Sequence, residues 1–314
     1  MGQSQPDPID HLVSGAVDTH MHTAPGAFPR QDTDFSAARK AKEHDMRAIV
    51  TKNHHFETAS RAKNVRDELG FDLLGGITLN EWVGGLNHHA VDGIANFDAD
   101  IVWMPSITSA HHLENAAVQM FETEEEAKGG ITVLNEDGNL TEPTLDVLDS
   151  IAEHGFVIGL SHLSPEEAIA LVDAATDRGV EEFLVQHPHA NFLNYSHEQM
   201  QTITDLGATL EFHYICTTEM MGNAATVGDF VSAVDAVGPE NAVMATDGGA
   251  TANPPAMEQF KQFIRDMLAE GVPESDIRTM TTENPKRIFD LVLSPPPSLY
   301  PADRYLFTRS AELC

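Results

Sequence analysis

Five residues from four separate stretches of the chain carry side chains of the kinds that hold metal ions: His20, His22, His162, His187 and Asp247. Each stands at the end of a short apolar run. His20 and His22 close Val17-Asp18-Thr19-His20-Met21-His22, His162 follows Gly159-Leu160-Ser161, His187 follows Val185-Gln186, and Asp247 follows Met244-Ala245-Thr246. Alternate side chains of an extended strand share a face. Asp18, His20 and His22 are therefore expected on one face, with the two imidazoles about 7 Å apart and Asp18 one step deeper, supporting them. A carboxylate buried at the end of an apolar run is costly unless a cation or a donor meets it. Imidazole and carboxylate ligands suit Zn2+, with Mn2+ or Fe2+ as other divalent choices. Such an ion activates water and polarises a carbonyl, and Asp247 is placed to move the proton as general acid/base.

Other polar groups stand close to these in the pattern. Lys52 and His54 share a face at the end of the second run, and Lys52 is expected to bridge ions as a carbamate, hold substrate, or act as acid/base. Arg30, in a loop rich in proline and glycine, suits a bidentate grip on a substrate carboxylate. Asn80 ends the third run, and Glu211 and His213 share one face of the seventh. The expected catalytic groups are thus Asp247, Lys52 and His187, and the expected substrate contacts are Arg30, His54, Asn80, Glu211 and His213. His189 lies just beyond the sixth run, while Trp82 and Trp103 read as packing residues. His11, His44, His88, His89, His111, His112, His154 and His197 fall on helices or loops and read as surface residues.

Strands must deliver these ends to one place. Apolar, β-branched runs at 16–22, 48–54, 73–80, 101–106, 157–163, 182–188, 208–214 and 242–248 alternate with amphipathic helical windows. That alternation reads as repeated βα units, and eight of them close a (β/α)8 TIM barrel, an α/β fold. Catalytic residues in such barrels sit at the carboxyl ends of the strands. No glycine fingerprint of a dinucleotide fold opens a first helix. Helical windows are expected at 34–45, 58–69, 254–270 and 273–291, the last broken at Pro285, and Ser164-Pro165-Glu166-Glu167 supplies a helix start. Residues 107–140 interrupt the rhythm after the fourth run and carry a hairpin-like stretch at 131–140. The domain plan is a tail at 1–13, a barrel at 14–291 with an insertion at 107–140, and a tail at 292–314.

Composition limits the partners. The 314 residues carry 49 acidic against 18 basic side chains, a formal charge of −31. That charge opposes nucleic acid and anionic membrane and fits an acidic surface adapted to high salt. A small-molecule substrate and a homo-oligomer are expected. Two cysteines are too few for a disulfide framework. With a polar, proline-bearing start and no run of the ~20 apolar residues that a membrane helix needs, a cytoplasmic location is expected.

The set His-x-His on strand one, His on five, His on six and Asp on eight resembles the amidohydrolase superfamily. So does the closing Glu283-Asn284-Pro285-Lys286-Arg287-Ile288. More narrowly, Asp18-Thr19-His20-Met21-His22 with Pro29-Arg30, Thr51-Lys52-Asn53-His54-His55, Trp82-Val83-Gly84-Gly85-Leu86-Asn87 and Gly159-Leu160-Ser161-His162-Leu163-Ser164 resemble a DUF6282-type family. The likeness runs from about residue 15 to residue 291. It implies a metal-dependent hydrolase with Asp247 as the proton-transfer group. Two-metal members of that superfamily carry a carboxylated lysine or a glutamate on strand four, whereas this strand reads Ile101-Val102-Trp103-Met104-Pro105-Ser106. Either one ion or two is compatible with that departure. The expected reaction is hydrolysis of a small amide, lactone or ester, cyclic or carboxylate-bearing. The alternatives are a metal-dependent decarboxylase on the same barrel and a barrel that binds metal or ligand without turnover.

Overall fold

The computed structural model describes residues 7–116 and 129–291. Its sheet has eight parallel strands, β1 (Val17–His22), β2 (Ala48–Lys52), β3 (Asp72–Thr78), β4 (Ile101–Trp103), β5 (Val157–Gly159), β6 (Phe183–Gln186), β7 (Thr209–His213) and β8 (Ala242–Ala245). Each is hydrogen-bonded to the next in chain order. The seam between β8 and β1 is drawn together by His22 N donating to Gly248 O at 2.9 Å and Asp247 N donating to His20 O at 2.8 Å. The eight-stranded α/β barrel expected from the alternation of runs is present. Strands β4 and β5 are shorter than their apolar runs, because the chain leaves the sheet before each run ends.

Two apolar layers hold the barrel. Val17, Val50, Leu74, Ile101, Leu184 and Val243 fill its interior, and Ile288, Phe289 and Leu291 join that cluster. Asn284 Nδ2 donates to the carbonyl of Ala242, the first residue of β8, at 2.7 Å, so this last helical turn closes the end where the strands begin. A larger cluster lies between strands and helices. Inside the barrel Gly159 faces the Trp103 indole so closely that any side chain there would collide with it. The glycine lets Trp103 lie across the interior.

The helices follow their local signals. Ser164 and Glu167 form a reciprocal cap, with Pro165 opening the helix Pro165–Thr176. The window expected at 273–291 divides into Glu274–Arg278, a wide π turn Thr279–Glu283, and Asn284–Ile288. The break just before Pro285 reflects the missing N–H of that residue. In the inserted segment, Ser109 caps the helix Ala110–Asn115, and isolated bridges join Ser109 to Ile131 and Leu134 to Leu140. The acidic run Glu124-Glu125-Glu126 and the tail after residue 291 lie outside the described residues. Among the described residues, no helix is long and apolar enough to cross a membrane.

Strand β1 departs from simple alternation. Its pairing with β2 shifts register between Asp18 and Met21. Thr19 Oγ1 and His20 Nδ1 consequently both reach Glu211, at 2.5 and 3.2 Å. Asp18 does not share their face as expected. Its carboxylate turns to the seam and accepts from Thr246 N at 3.0 Å and Thr246 Oγ1 at 2.6 Å. A bulge inserts one residue against the partner strand and reverses the facing of what precedes it.

Candidate metal centre

Three residues at the barrel mouth hold left-handed backbone without being glycine: Ser161 (φ 52°), His187 (φ 51°) and Asp247 (φ 49°). They follow β5, β6 and β8. Such a conformation costs a β-carbon residue about 1–2 kcal/mol, and it persists where the surroundings over-determine it. Alternation from Leu184 and Gln186, which face inward, would send the His187 ring outward. The left-handed turn returns it to the mouth. The same turn at Ser161 redirects His162.

The side chains converge on the carboxylate of Asp247. Its Oδ1 stands 3.0 Å from Nε2 of His22 and 3.7 Å from Nε2 of His20, and its Oδ2 stands 3.8 Å from Nε2 of His187. Ligand atoms of His20, His187 and Asp247 all lie within 4.8 Å of one another. Atoms bound to one ion through bonds of roughly 2.0–2.2 Å are spaced on this scale. Nε2 of His20 is buried with no hydrogen-bond partner, a costly state for a polar atom unless a cation engages it. The donor set therefore fits a divalent ion. The His162 ring lies 5.4 Å from that of His187, centroid to centroid, on the flank of the cluster.

The opposite nitrogens are held from below and behind. His20 Nδ1 faces Glu211 Oε2 at 3.2 Å, and His22 Nδ1 faces the Lys52 carbonyl at 3.0 Å. His187 Nδ1 lies 2.6 Å from His213 Nδ1. An acceptor at Nδ1 puts the proton there and leaves Nε2 as a lone pair, the form that binds metal. Burial, with the charge of Lys52 and the neighbouring His213, depresses His20 to about 3. Burial and Arg30 depress His22 to about 4. Burial also holds His162 and His187 well below the usual imidazole range. These rings are neutral near pH 7 and need lose no proton from Nε2 to take an ion. Burial opposes ionisation of Asp247, but the closeness of His22, His20 and His187 outweighs it and holds the carboxyl well below its ordinary value.

Glu211 and His213, expected against substrate, are fully buried beneath the ligands. Besides Thr19 and His20, Glu211 accepts from Gln186 Nε2 at 2.8 Å. His213 Nε2 stands 3.1 Å from Glu211 Oε2 but off the line of a good hydrogen bond. Glu211 thus holds His20 directly and adjoins the residue that holds His187. Gln186, not anticipated from the sequence, extends this network by accepting from Ser161 N at 2.7 Å. Its inward parity on β6 was the available signal. Asn80 is likewise buried and fully engaged. Its Oδ1 accepts from Ser106 N and Thr108 Oγ1, both at 2.9 Å, and its Nδ2 donates to the His54 carbonyl and Ser106 Oγ, both at 2.9 Å. It ties the loops after β2 and β4 together and has no free atom for a ligand.

Lys52, Arg30 and His54 border the mouth. Lys52 Nζ lies 3.4 Å from Ser161 Oγ and 5.4 Å from the centre of the Trp103 ring. Burial, against the pull of Asp247 and Glu211, lowers its pKa to about 8. Arg30 is half-buried 5.9 Å from the Phe28 ring, without an ion pair among the described residues. Its backbone bridges Ala250, which staples the loop after β1 to the loop carrying Asp247. With Phe28, His22, Lys52 and His54 it lines a small recess beside the ligand cluster. Trp103 is buried inside the barrel, while Trp82, 43% exposed, packs at a tilt on His55 with ring centroids 4.0 Å apart. His189 packs in the outer layer against Phe212 and Phe230, away from the mouth. His112, read as a surface residue, is only 7% exposed and meets His162.

The model of a family of unknown function, DUF6282, matches residues 15–211. No curated protein matches the chain. Among solved structures the chain is similar to an amidohydrolase from Pseudomonas aeruginosa, at 13% identity over 89% of this chain and 97% of that one, with a TM-score of 0.61. It is similar to a 2,6-dihydroxybenzoate decarboxylase from Rhizobium, at 10% identity over 88% and 99%, TM-score 0.58. It is also similar to a phosphotriesterase homology protein from Escherichia coli, at 14% identity over 88% and 99%, TM-score 0.55. At these identities the likeness is one of fold.

Proposed function

The chain belongs to the DUF6282 family, and on that premise we propose that it is a metal-dependent hydrolase of small amides, lactones or esters that bear a carboxylate. The observation that carries this reading is the meeting of three imidazole Nε2 atoms around the Asp247 carboxylate, with each Nδ1 engaged on its far side. His20, His22, His187 and Asp247 would hold the ion, with His162 as a further ligand from the flank. When bound, a divalent ion supplies Lewis acidity, polarising a carbonyl and easing deprotonation of water. Zn2+ suits the ligand types.

The remaining work falls to the chain's own residues. Asp247, ionised and only partly covered, accepts a proton from the attacking water and returns it to the leaving oxygen or nitrogen. Arg30 binds the substrate carboxylate from the recess. Lys52, with its pKa near 8, donates a hydrogen bond or a proton to developing negative charge. The proposal is for one ion. Trp103 occupies the inner face of β4, and in the deeper trio of His20, Glu211 and His213 the carboxylate already accepts from Thr19, His20 and Gln186.

A second reading is decarboxylation of an aromatic acid. The fold likeness to a 2,6-dihydroxybenzoate decarboxylase and the pairing of Arg30 with the Phe28 ring at the recess favour it. Turnover of a panel of lactones, cyclic amides, esters and aromatic acids in 18O-water separates the readings. Label in the product supports hydrolysis, and CO2 release without label supports the lyase. Stoichiometric metal binding with no turnover across the panel would favour a binding role.

A further inference from the structure

Strand β4 supplies no imidazole or carboxylate to the cluster. The connection after it does approach the site, as the helix Ala110–Asn115, and that segment grips His162 twice. Ser109 Oγ donates to the His162 carbonyl at 2.9 Å, and Nδ1 of His112 lies 2.9 Å from Nδ1 of His162. The two rings stack with centroids 4.6 Å apart, and Phe192 packs against both. Ser109 also caps the helix by accepting from His112 N at 3.1 Å, which fixes where the His112 ring begins. His111 secures the same turn through the Phe192 carbonyl at 2.6 Å.

Two imidazole nitrogens facing each other share one proton, so one donates and the other accepts. A ring that offers Nε2 to a cation carries its proton on Nδ1 and requires an acceptor there. For His20 that acceptor is Glu211, and for His22 it is the Lys52 carbonyl. The atom that meets Nδ1 of His162 is Nδ1 of His112. We infer that His112 is a positioning residue of the metal centre, accepting the Nδ1 proton of His162 and holding that ring in the tautomer that presents Nε2 to the ion. The inference rests on the metal-dependent reading above and brings the segment after β4 into the site through an outer contact.

The test compares wild type with His112→Phe, which keeps a ring against Phe192 but removes the acceptor, and His112→Asn, whose amide oxygen can stand near the Nδ1 position. Zn2+ affinity is measured by competition with a chromophoric chelator, and the Co2+-loaded proteins are compared by visible absorption. His112→Phe is expected to bind Zn2+ about 10–100-fold more weakly and to shift the Co2+ bands, with His112→Asn restoring affinity to within a few-fold. Zn2+ affinity and Co2+ spectrum unchanged in His112→Phe would overturn the role of His112 alone. Equal loss in both variants would assign His112 to packing and also overturn it. If His112→Phe fails to fold, His112→Asn decides: near-wild-type affinity and Co2+ bands support the role, and loss of both overturns it. A wild-type protein that binds no divalent ion would overturn the metal-dependent reading itself, and this inference with it.

Discussion

Nε2 of His22, on the first strand of the barrel, stands 3.0 Å from Oδ1 of Asp247, which follows the last. The contact exists because backbone hydrogen bonds across the β8–β1 seam bring the two ends of the fold together. On the reading proposed here, Asp247 both adjoins the ion and moves the proton. Replacing Asp247→Asn removes the base and keeps the shape. The expected result is a fall in kcat of about 10²–10⁴-fold, with a wild-type melting profile and substantial metal by elemental analysis. Wild-type kcat in this variant would remove Asp247 from proton transfer.

Glu211 divides a substrate role from a supporting one. Its carboxylate accepts from Thr19, His20 and Gln186. An amide in its place turns an N–H toward groups that already donate. Glu211→Gln should weaken metal binding roughly 10–100-fold, measured by chelator competition. A raised KM with unchanged metal affinity would instead place Glu211 against substrate.

Lys52 predicts a pH dependence of stability. Its folded pKa, about 8, lies below the ordinary 10.5 because burial disfavours the charge. Between those values the unfolded chain binds the extra proton, so this residue makes stability rise with pH across that window. Below pH 8 the cost is present in full and corresponds to roughly 3 kcal/mol. In metal-free protein, Lys52→Met should therefore gain about that much at pH 7 and progressively less as the pH approaches 10.5. Urea denaturation at pH 7 and pH 10 checks it, and a gain that does not change with pH counts against a buried charge at this position.

Asn80 should be a stability residue. Asn80→Ala strips partners from Ser106 N, Thr108 Oγ1 and the His54 carbonyl, all in or beside buried surroundings. Each buried group left unpaired costs about 1–3 kcal/mol, so a loss of roughly 3 kcal/mol in urea denaturation is expected. A variant as stable as wild type but raised in KM would return Asn80 to the substrate.

Arg30 should govern recognition of a carboxylate. Arg30→Lys keeps the charge and loses the planar fork. KM for a carboxylate-bearing substrate should rise about tenfold, on the scale of one lost charged hydrogen bond, while the methyl ester of the same compound is little affected. Equal effects on both would detach Arg30 from that group.

Much of the mouth was legible because residue types at the ends of apolar runs are a local property. His20, His22, His187 and Asp247 stand out in this way, and so does the absence of a lysine or glutamate on β4. Alternation failed where the strand had already ended or bulged. It placed Asp18 with His20, whereas the irregularity in β1 sends Asp18 to Thr246. It gave no reason for His187 to turn inward, which the left-handed φ of 51° accomplishes. His112 escaped notice because a histidine in the first turn of a short helix reads as solvated until a neighbouring loop covers it.

The sequence by itself determined how many βα units there are and which side chains arrive at the strand ends, because hydrophobic periodicity and turn chemistry act over a few residues. Only the tertiary structure decided which nitrogen meets which acceptor, how Glu211 comes to lie beneath His20, and why the loop carrying Arg30 is stapled to the loop carrying Asp247. Those pairings join residues from opposite parts of the chain, and closing the barrel is what sets the distances between them.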